Sequence, residues 1–295
     1  MTIDVRSIES GPGPISERTG RLVVTNGAAR MEIDPLRGAR IYSFSLEGRD
    51  VLTGPDVDPD NYGSTFWTSP QADWGWPPPP EIDNQPYTVV ETDSGFVCAG
   101  TISPKLGVLV TKRFETLSLP GAIAVEYSVH NQGATPLRLA PWEISRVAGG
   151  LTLFAAGEGR FKHATLPEPE VREEGGIVWY QYARERVTCD QKLFTHSSEG
   201  WLAHVRDGLT LIKQFTPIAL ADQAPEEGAI EIFASGLKDY IEIEQQGAYA
   251  KLEGWKSSVW RVNWLLTKLP SGIKAEAGNT ALARWVQAQV ALLKK

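Results

Sequence analysis

Three carboxylates stand where they could move protons. Glu242 and Glu244 lie in DYIEIEQQG, an alternating stretch that reads as a strand. Strand residues i and i+2 face one side, so Glu242 and Glu244 share a face and Ile241 and Ile243 take the other. If that face is desolvated, two like charges so spaced raise the pKa of at least one of them. On a groove floor this suits a general acid or base; on an open face the pair is a solvated stripe. Glu143, in LAPWEISR, is the third carboxylate. A second feature is the stretch Thr65 to Asp83, TFWTSPQADWGWPPPPEID, which mixes Trp67, Trp74 and Trp76 with Gln71, Asp73, Glu81 and Asp83. Pro77 to Pro80 exclude a helix interior or a central strand there and predict a stiff polyproline II segment. A stiff loop of flat aromatics and short polar groups suits a sugar, or another ring with an apolar face. The alternative is a large loop packed on the core by its own tryptophans.

Other chemistries find little support. His130, His163, His196 and His204 are the only histidines, and none forms a close-spaced ligand pair, so no metal site is expected. His204 reads as a structural residue of a strand, His196 as an exposed turn residue, and His130 as the start of a turn. No GxSxG, Walker loop or dinucleotide fingerprint is present, and no cofactor is expected. Arg113, Arg146, Arg160, Lys213, Lys251 and Arg261 are scattered. Each could meet an anionic sugar, but scattered basic residues are usually solvated.

The elements that must position these groups are strands. RLVVTN, ARMEID and ARIYSFSLEG alternate apolar and polar residues, with turns at Asn26-Gly27 and Arg37-Gly38. YTVVET, GFVCAGTIS, GVLVTKRFETL and AIAVEYSVHN continue the pattern. GIVWYQY, GWLAHVRDG, LTLIKQFT, AIEIFASG and SSVWRVNWLLTKL repeat it in the second half. Asp207-Gly208 marks a hairpin, because both residues tolerate positive φ. Strands about every ten residues favour a sandwich over alternating β-α units. Only the C-terminus reads as a helix: Asn279 or Thr280 caps it, and Leu282, Trp285, Val286, Gln289, Val290 and Leu293 keep helical spacing.

The 295 residues are read as a loose arm over 1–18 and one antiparallel β domain over 19–295. Net charge is −7, which argues against nucleic acid and against an anionic membrane surface. No stretch is long and apolar enough for a membrane span. Cys98 and Cys189 are read as two buried thiols. The N-terminus lacks an apolar signal region, so a cytoplasmic location is the expectation, or an exported one if a leader has been removed. A monomer and a homodimer are equally compatible with the chain.

Read in order, these segments resemble the galactose mutarotase-like superfamily, which includes the aldose 1-epimerases. VTNGAARMEIDPLRGARIYSFSLEGRDVL is similar to its first hairpins. NYGSTFW falls at its glycine-containing loop before the sugar site. EYSVHNQGATPLRLAPWEISRV and DYIEIEQQGAYAKLEGWKSSVWRVNWLL resemble its central and glutamate-bearing strands. The resemblance covers nearly all of the chain after residue 20 and implies an all-β fold, the β-supersandwich, with a small sugar or oligosaccharide as ligand. In the family's mutarotases a histidine protonates the ring oxygen and a glutamate deprotonates the anomeric hydroxyl. The glutamate falls on Glu244, in a Glu-x-Gln pattern with Gln246, or on Glu242. Where the histidine is expected the chain reads Pro141-Trp142-Glu143. The sugar-orienting arginine is replaced by TFWTSPQAD. Glu143 is then the candidate acid, facing Glu242 or Glu244 across a groove. Trp67, Gln71, Trp74, Trp76, Trp142 and Gln246 are the candidate ligand contacts. The implied activity is that of an epimerase or mutarotase relative; the alternatives are a carbohydrate-binding domain without chemistry and a glycoside-cleaving enzyme.

Overall fold

A computed structural model describes residues 20–161 and 166–294. The N-terminal arm and His163 lie outside the described residues. Alternating sequences give two large antiparallel sheets, one of 11 strands and one of 10. From edge to edge, the first runs Leu22–Asn26, Ala29–Asp34, Arg40–Leu46, Ser64–Ser69, Leu137–Val147, Ile241–Gln246, Ile230–Ala234, Gln191–Thr195 and Arg160–Phe161. Two short strands pair off this path, Arg49–Asp50 with Arg40–Leu46 and Ala250–Leu252 with Leu137–Val147. The second sheet runs Arg172–Glu174, Ile177–Gln181, Leu151–Ala155, Trp201–Arg206, Leu209–Phe215, Ser257–Lys268, Ala122–Asn131, Val108–Thr116, Gly95–Ala99 and Thr88–Thr92.

One stripe of each sheet meets the other in the main core. Phe44, Phe66, Leu193, Ile232, Ile241 and Ile243 come from the first sheet; Phe114, Val125, Leu211, Phe215, Val262 and Trp264 come from the second. The outer face of the second sheet is covered by the helix Thr280–Leu293, whose Leu282, Val286, Val290 and Leu293 pack on Leu153, Trp201 and Ile212. Asn279 caps that helix, its side chain accepting from the backbone N–H groups of Ala281 and Leu282. The hairpin at Arg206–Leu209 turns through Asp207 and Gly208 at φ 50° and 75°, the left-handed pair its sequence requires.

Three local expectations change. Thr65 to Ser69 is not loop but part of a fully buried strand pairing with Leu137–Val147. Pro80 opens one turn of helix, Pro80–Asp83, because a first-turn residue has no use for the N–H that proline lacks; the polyproline reading fails at that residue. Cys98 is buried as expected, but Cys189 is exposed. Among the described residues no helix is long and apolar enough to cross a membrane.

Candidate functional site

The other face of the first sheet carries the ionisable groups. Parity explains which ones. In Leu137–Val147, Trp142, Ile144 and Arg146 turn outward; their partners across the ladder are Gln246, Glu244 and Glu242 on one side, and Trp67 and Thr65 on the other. Further along, Glu231 pairs with Glu244 and Phe233 with Glu242, while Lys192 and Phe194 come from the next strand. The loop from Pro70 to Asp83 and the Pro225–Glu227 turn wall this face. Together they enclose a cavity of about 700 Å³.

The tryptophan-bearing stretch lines the cavity with some of its residues and is anchored by others. Trp67 and Trp142 form the inner aromatic wall, with ring centroids 5.5 Å apart and nearly perpendicular. Trp67 donates its indole N–H to Asp83 Oδ1 at 2.8 Å, and Arg40 holds Oδ2 at 3.3 Å. Trp76 and Gln71 also line the cavity. Trp74 does not: it is buried against Trp67 and Trp142 and donates to the Thr68 carbonyl at 2.7 Å. Both readings of the loop are therefore realised, by different tryptophans.

The carboxylates occupy two levels. Glu242 lines the cavity and accepts from Arg146 Nε at 2.8 Å. Arg146 also donates to Thr65 Oγ1 at 2.8 Å, and its guanidinium lies 5.2 Å from the Trp67 ring. Glu244 shares the face of Glu242, as strand parity requires, but it is fully buried. Trp142 Nε1 and Lys192 Nζ cover it, donating at 2.9 and 2.6 Å. Lys192 also pairs with Glu231 Oε2 at 2.8 Å. Gln246 is buried too, and donates to Glu231 Oε1 at 2.7 Å. Glu227 lines the cavity and accepts from the Gln71 backbone N–H at 2.8 Å, tying the tryptophan loop to the opposite wall.

Four carboxyls, Glu227, Glu231, Glu242 and Glu244, thus share two cations, Lys192 and Arg146. Burial is the largest influence and pushes Glu231 and Glu244 up to about 8, against the opposing pull of Lys192. Burial also raises Glu227. For Lys192 burial alone would lower the pKa, but Glu231 and Glu244 outweigh it and hold the ammonium charged. Raised carboxyls packed against a lysine mark this cluster as a candidate for proton transfer.

Glu143 is elsewhere. It alternates with Trp142, so it points between the sheets, where it is fully buried. Lys213 of the second sheet donates to it at 2.8 Å; Tyr127, Gln245 and Trp264 donate as well. The expectation that Glu143 faces Glu242 or Glu244 across one groove fails for this reason: an odd offset along a strand puts residues on opposite faces. Lys213 and Arg146, read as solvated, are both buried ion-pair partners. His196 is buried, not exposed. His204 is buried against Thr152 Oγ1 and the Ala148 carbonyl, which suits its structural reading. His130 is the penultimate residue of the strand Ala122–Asn131 and does not start a turn; it lies beside Thr111 and Ser257.

Sequence reasoning missed Lys192, Glu227 and Glu231. A signal existed for Glu231: in AIEIFASG it interrupts an apolar run just as Glu242 and Glu244 do in DYIEIEQQG. Lys192 alternates with Phe194 in QKLFT, which gives parity but not proximity. Glu227 stands in a turn, where no periodicity marks it. Among the described residues, no group of three or more His, Cys, Asp or Glu side chains is placed to hold a metal ion.

No protein-family model matches the chain, and no curated protein does. Solved structures do. A galactose mutarotase-like protein from Lactobacillus casei superimposes with a TM-score of 0.61 at 12% identity, covering 84% of this chain and 100% of that one. Slr1438 from Synechocystis sp. PCC 6803 gives 0.60 at 14%, covering 88% and 100%. A candidate aldose 1-epimerase from Escherichia coli K12 gives 0.56 at 13%, covering 84% and 99%. At these identities the likeness is one of fold. The chain has the galactose mutarotase-like fold, two large antiparallel sheets with a C-terminal helix.

Proposed function

We propose that the cavity binds a sugar and interconverts its anomers by acid/base chemistry, with Glu227 as the acid and Glu242 as the base. Glu227 protonates the ring oxygen while Glu242 takes the proton of the anomeric hydroxyl. The bond between the anomeric carbon and the ring oxygen breaks, and an open-chain aldehyde forms. Rotation about the adjacent carbon–carbon bond and closure return both protons. One observation carries the reading: two carboxyls in unlike settings open onto one aromatic-walled cavity. Burial raises Glu227 and so favours its protonated form, whereas Glu242 sits against the Arg146 guanidinium at 2.8 Å. Carboxyls set apart by environment in this way divide acid and base roles. Trp67 and Trp142, themselves almost wholly buried, back the inner wall with apolar contact for the ring. The mutarotase-like names of the structural neighbours support the same substrate class.

The Arg146–Glu242 pair also favours a second reading, in which the carboxylate is held too firmly to act and the cavity only binds. Polarimetry and NMR exchange with α-D-glucose and α-D-galactose decide between them. The catalytic reading expects mutarotation above the buffer rate, lost by roughly 10²-fold or more in Glu227→Gln and in Glu242→Gln with sugar binding retained. Saturable binding with no rate enhancement would leave only the second reading.

A further inference from the structure

We infer that the outer half of this cavity is a second ring-binding subsite, so that its preferred ligand is a neutral disaccharide, or the reducing end of a longer neutral glycan. The inference rests on the proposed function and specifies its substrate class. The first argument is size. Liquid water occupies about 30 Å³ per molecule. A hexopyranose, with about 12 non-hydrogen atoms, takes less than roughly 360 Å³ on that generous scale, about half of the 700 Å³ present. A second ring fills the remainder.

The second argument is the rim. Trp76 is 61% exposed and lines the cavity. Its ring stands nearly perpendicular to Trp67, at 82° and 5.8 Å between centroids, and most of its surface stays open. Leu237, 90% exposed, also lines the cavity. Exposed apolar side chains that continue an enclosed aromatic wall are surface waiting for a ligand. A pyranose presents such a surface through its axial C–H groups, and Trp76 is the stacking platform it would use.

The third argument is charge. Among the described residues, the two lysines of the wall are already paired, Lys192 with Glu231 and Glu244, and Lys238 with Asp58 at 2.7 Å. Arg146 behind them is paired with Glu242. Asp190, Glu227 and Glu242 add further carboxyls to the lining. A phosphate or carboxylate on the ligand would meet, among the described residues, only cations that already have carboxyl partners, so a neutral ligand fits this wall best.

The test compares glucose, cellobiose, maltose, lactose and glucose 6-phosphate on the full-length protein and on Trp76→Ala and Trp76→Phe, by calorimetry and by anomer-exchange NMR. At least one disaccharide should bind about tenfold or more tighter than glucose, and glucose 6-phosphate no tighter than glucose. Trp76→Ala should erase most of that preference, by about tenfold, and Trp76→Phe should restore it. If glucose is bound and turned over as well as every disaccharide, or if Trp76→Ala leaves the disaccharide-to-glucose ratio unchanged, the second subsite is wrong while the proposed function stands. If none of these sugars binds, both fall together.

Discussion

Glu143→Gln separates a structural carboxylate from a catalytic one. Lys213 Nζ lies 2.8 Å from Glu143 Oε1, and neither side chain is exposed. At an effective dielectric of about 20, that contact is worth about 6 kcal/mol of Coulomb energy before desolvation. Removing one charge from a buried pair typically costs about 3–5 kcal/mol, because the other is left uncompensated. Here the cost has a ceiling. Burial already acts to lower the Lys213 pKa, and without Glu143 the lysine can fold neutral. Its pKa in the unfolded chain is about 10.4, so giving up the proton at pH 7 costs about 5 kcal/mol, at about 1.4 kcal/mol per pH unit. With its pKa lowered further once Glu143 is gone, Lys213 gives up a proton on folding, so the stability of the variant should rise with pH towards 10, by at most about 1.4 kcal/mol per unit. In the wild type Glu143 pulls the Lys213 pKa back up against burial, so its slope should be smaller. Urea unfolding at several pH values reads both quantities. Adding Lys213→Met should recover much of the loss, since an apolar replacement removes the stranded charge. Under the proposed function, folded Glu143→Gln also keeps its anomer-exchange activity. A variant as stable as wild type, with no extra pH slope and no turnover, would refute the burial argument and return Glu143 to the candidate acids.

Other consequences can be checked on the same protein. Folded Glu231 and Glu244 are pushed up to about 8, above the ordinary glutamate value near 4.3, so the unfolded chain loses their protons first. Stability should therefore fall as pH rises from about 5 to about 8, by at most about 1.4 kcal/mol per unit for each group; Glu231→Gln should flatten the urea-midpoint profile, and an unchanged slope would contradict the assignment. Gly38 has φ +65°, and a Cβ there would lie 2.1 Å from the Asp83 carbonyl oxygen. Gly38→Ala should cost roughly 2–3 kcal/mol and weaken sugar binding too, because Asp83 orients Trp67; unaltered binding would show that this anchor is dispensable. Asn279→Ala should cost about 1 kcal/mol through loss of the helix cap, read by thermal unfolding.

The fold was legible because period-2 alternation is a local property. Leu22–Asn26, Ala29–Asp34 and Leu209–Phe215 lie where their patterns predict them, and the Asn279-capped helix needs no knowledge of its neighbours. Part of the site was legible by the same rule: parity put Glu242, Glu244 and Gln246 on one face, and they are found there. Depth on that face was not legible. Only the ladder shows that Glu244 lies covered by Trp142 and Lys192 while Glu242 stays open. Glu143 misled for a related reason. Position in a resemblance gives the strand but not the side, and one residue of offset exchanges cavity for core. Lys192 and Glu227 come from other segments, and their meeting with Glu242 is a product of sheet order that no local pattern encodes.

The central claim is that a sugar sits in the aromatic-walled cavity with its anomeric centre between Glu227 and Glu242. A crystal structure of Glu242→Gln grown with saturating glucose or cellobiose measures this directly. The account predicts a ring against Trp67 and Trp142, its ring oxygen within hydrogen-bond distance of Glu227 and its anomeric hydroxyl within reach of residue 242. Sugar bound at another surface, or a cavity holding only solvent at saturating sugar, would contradict it.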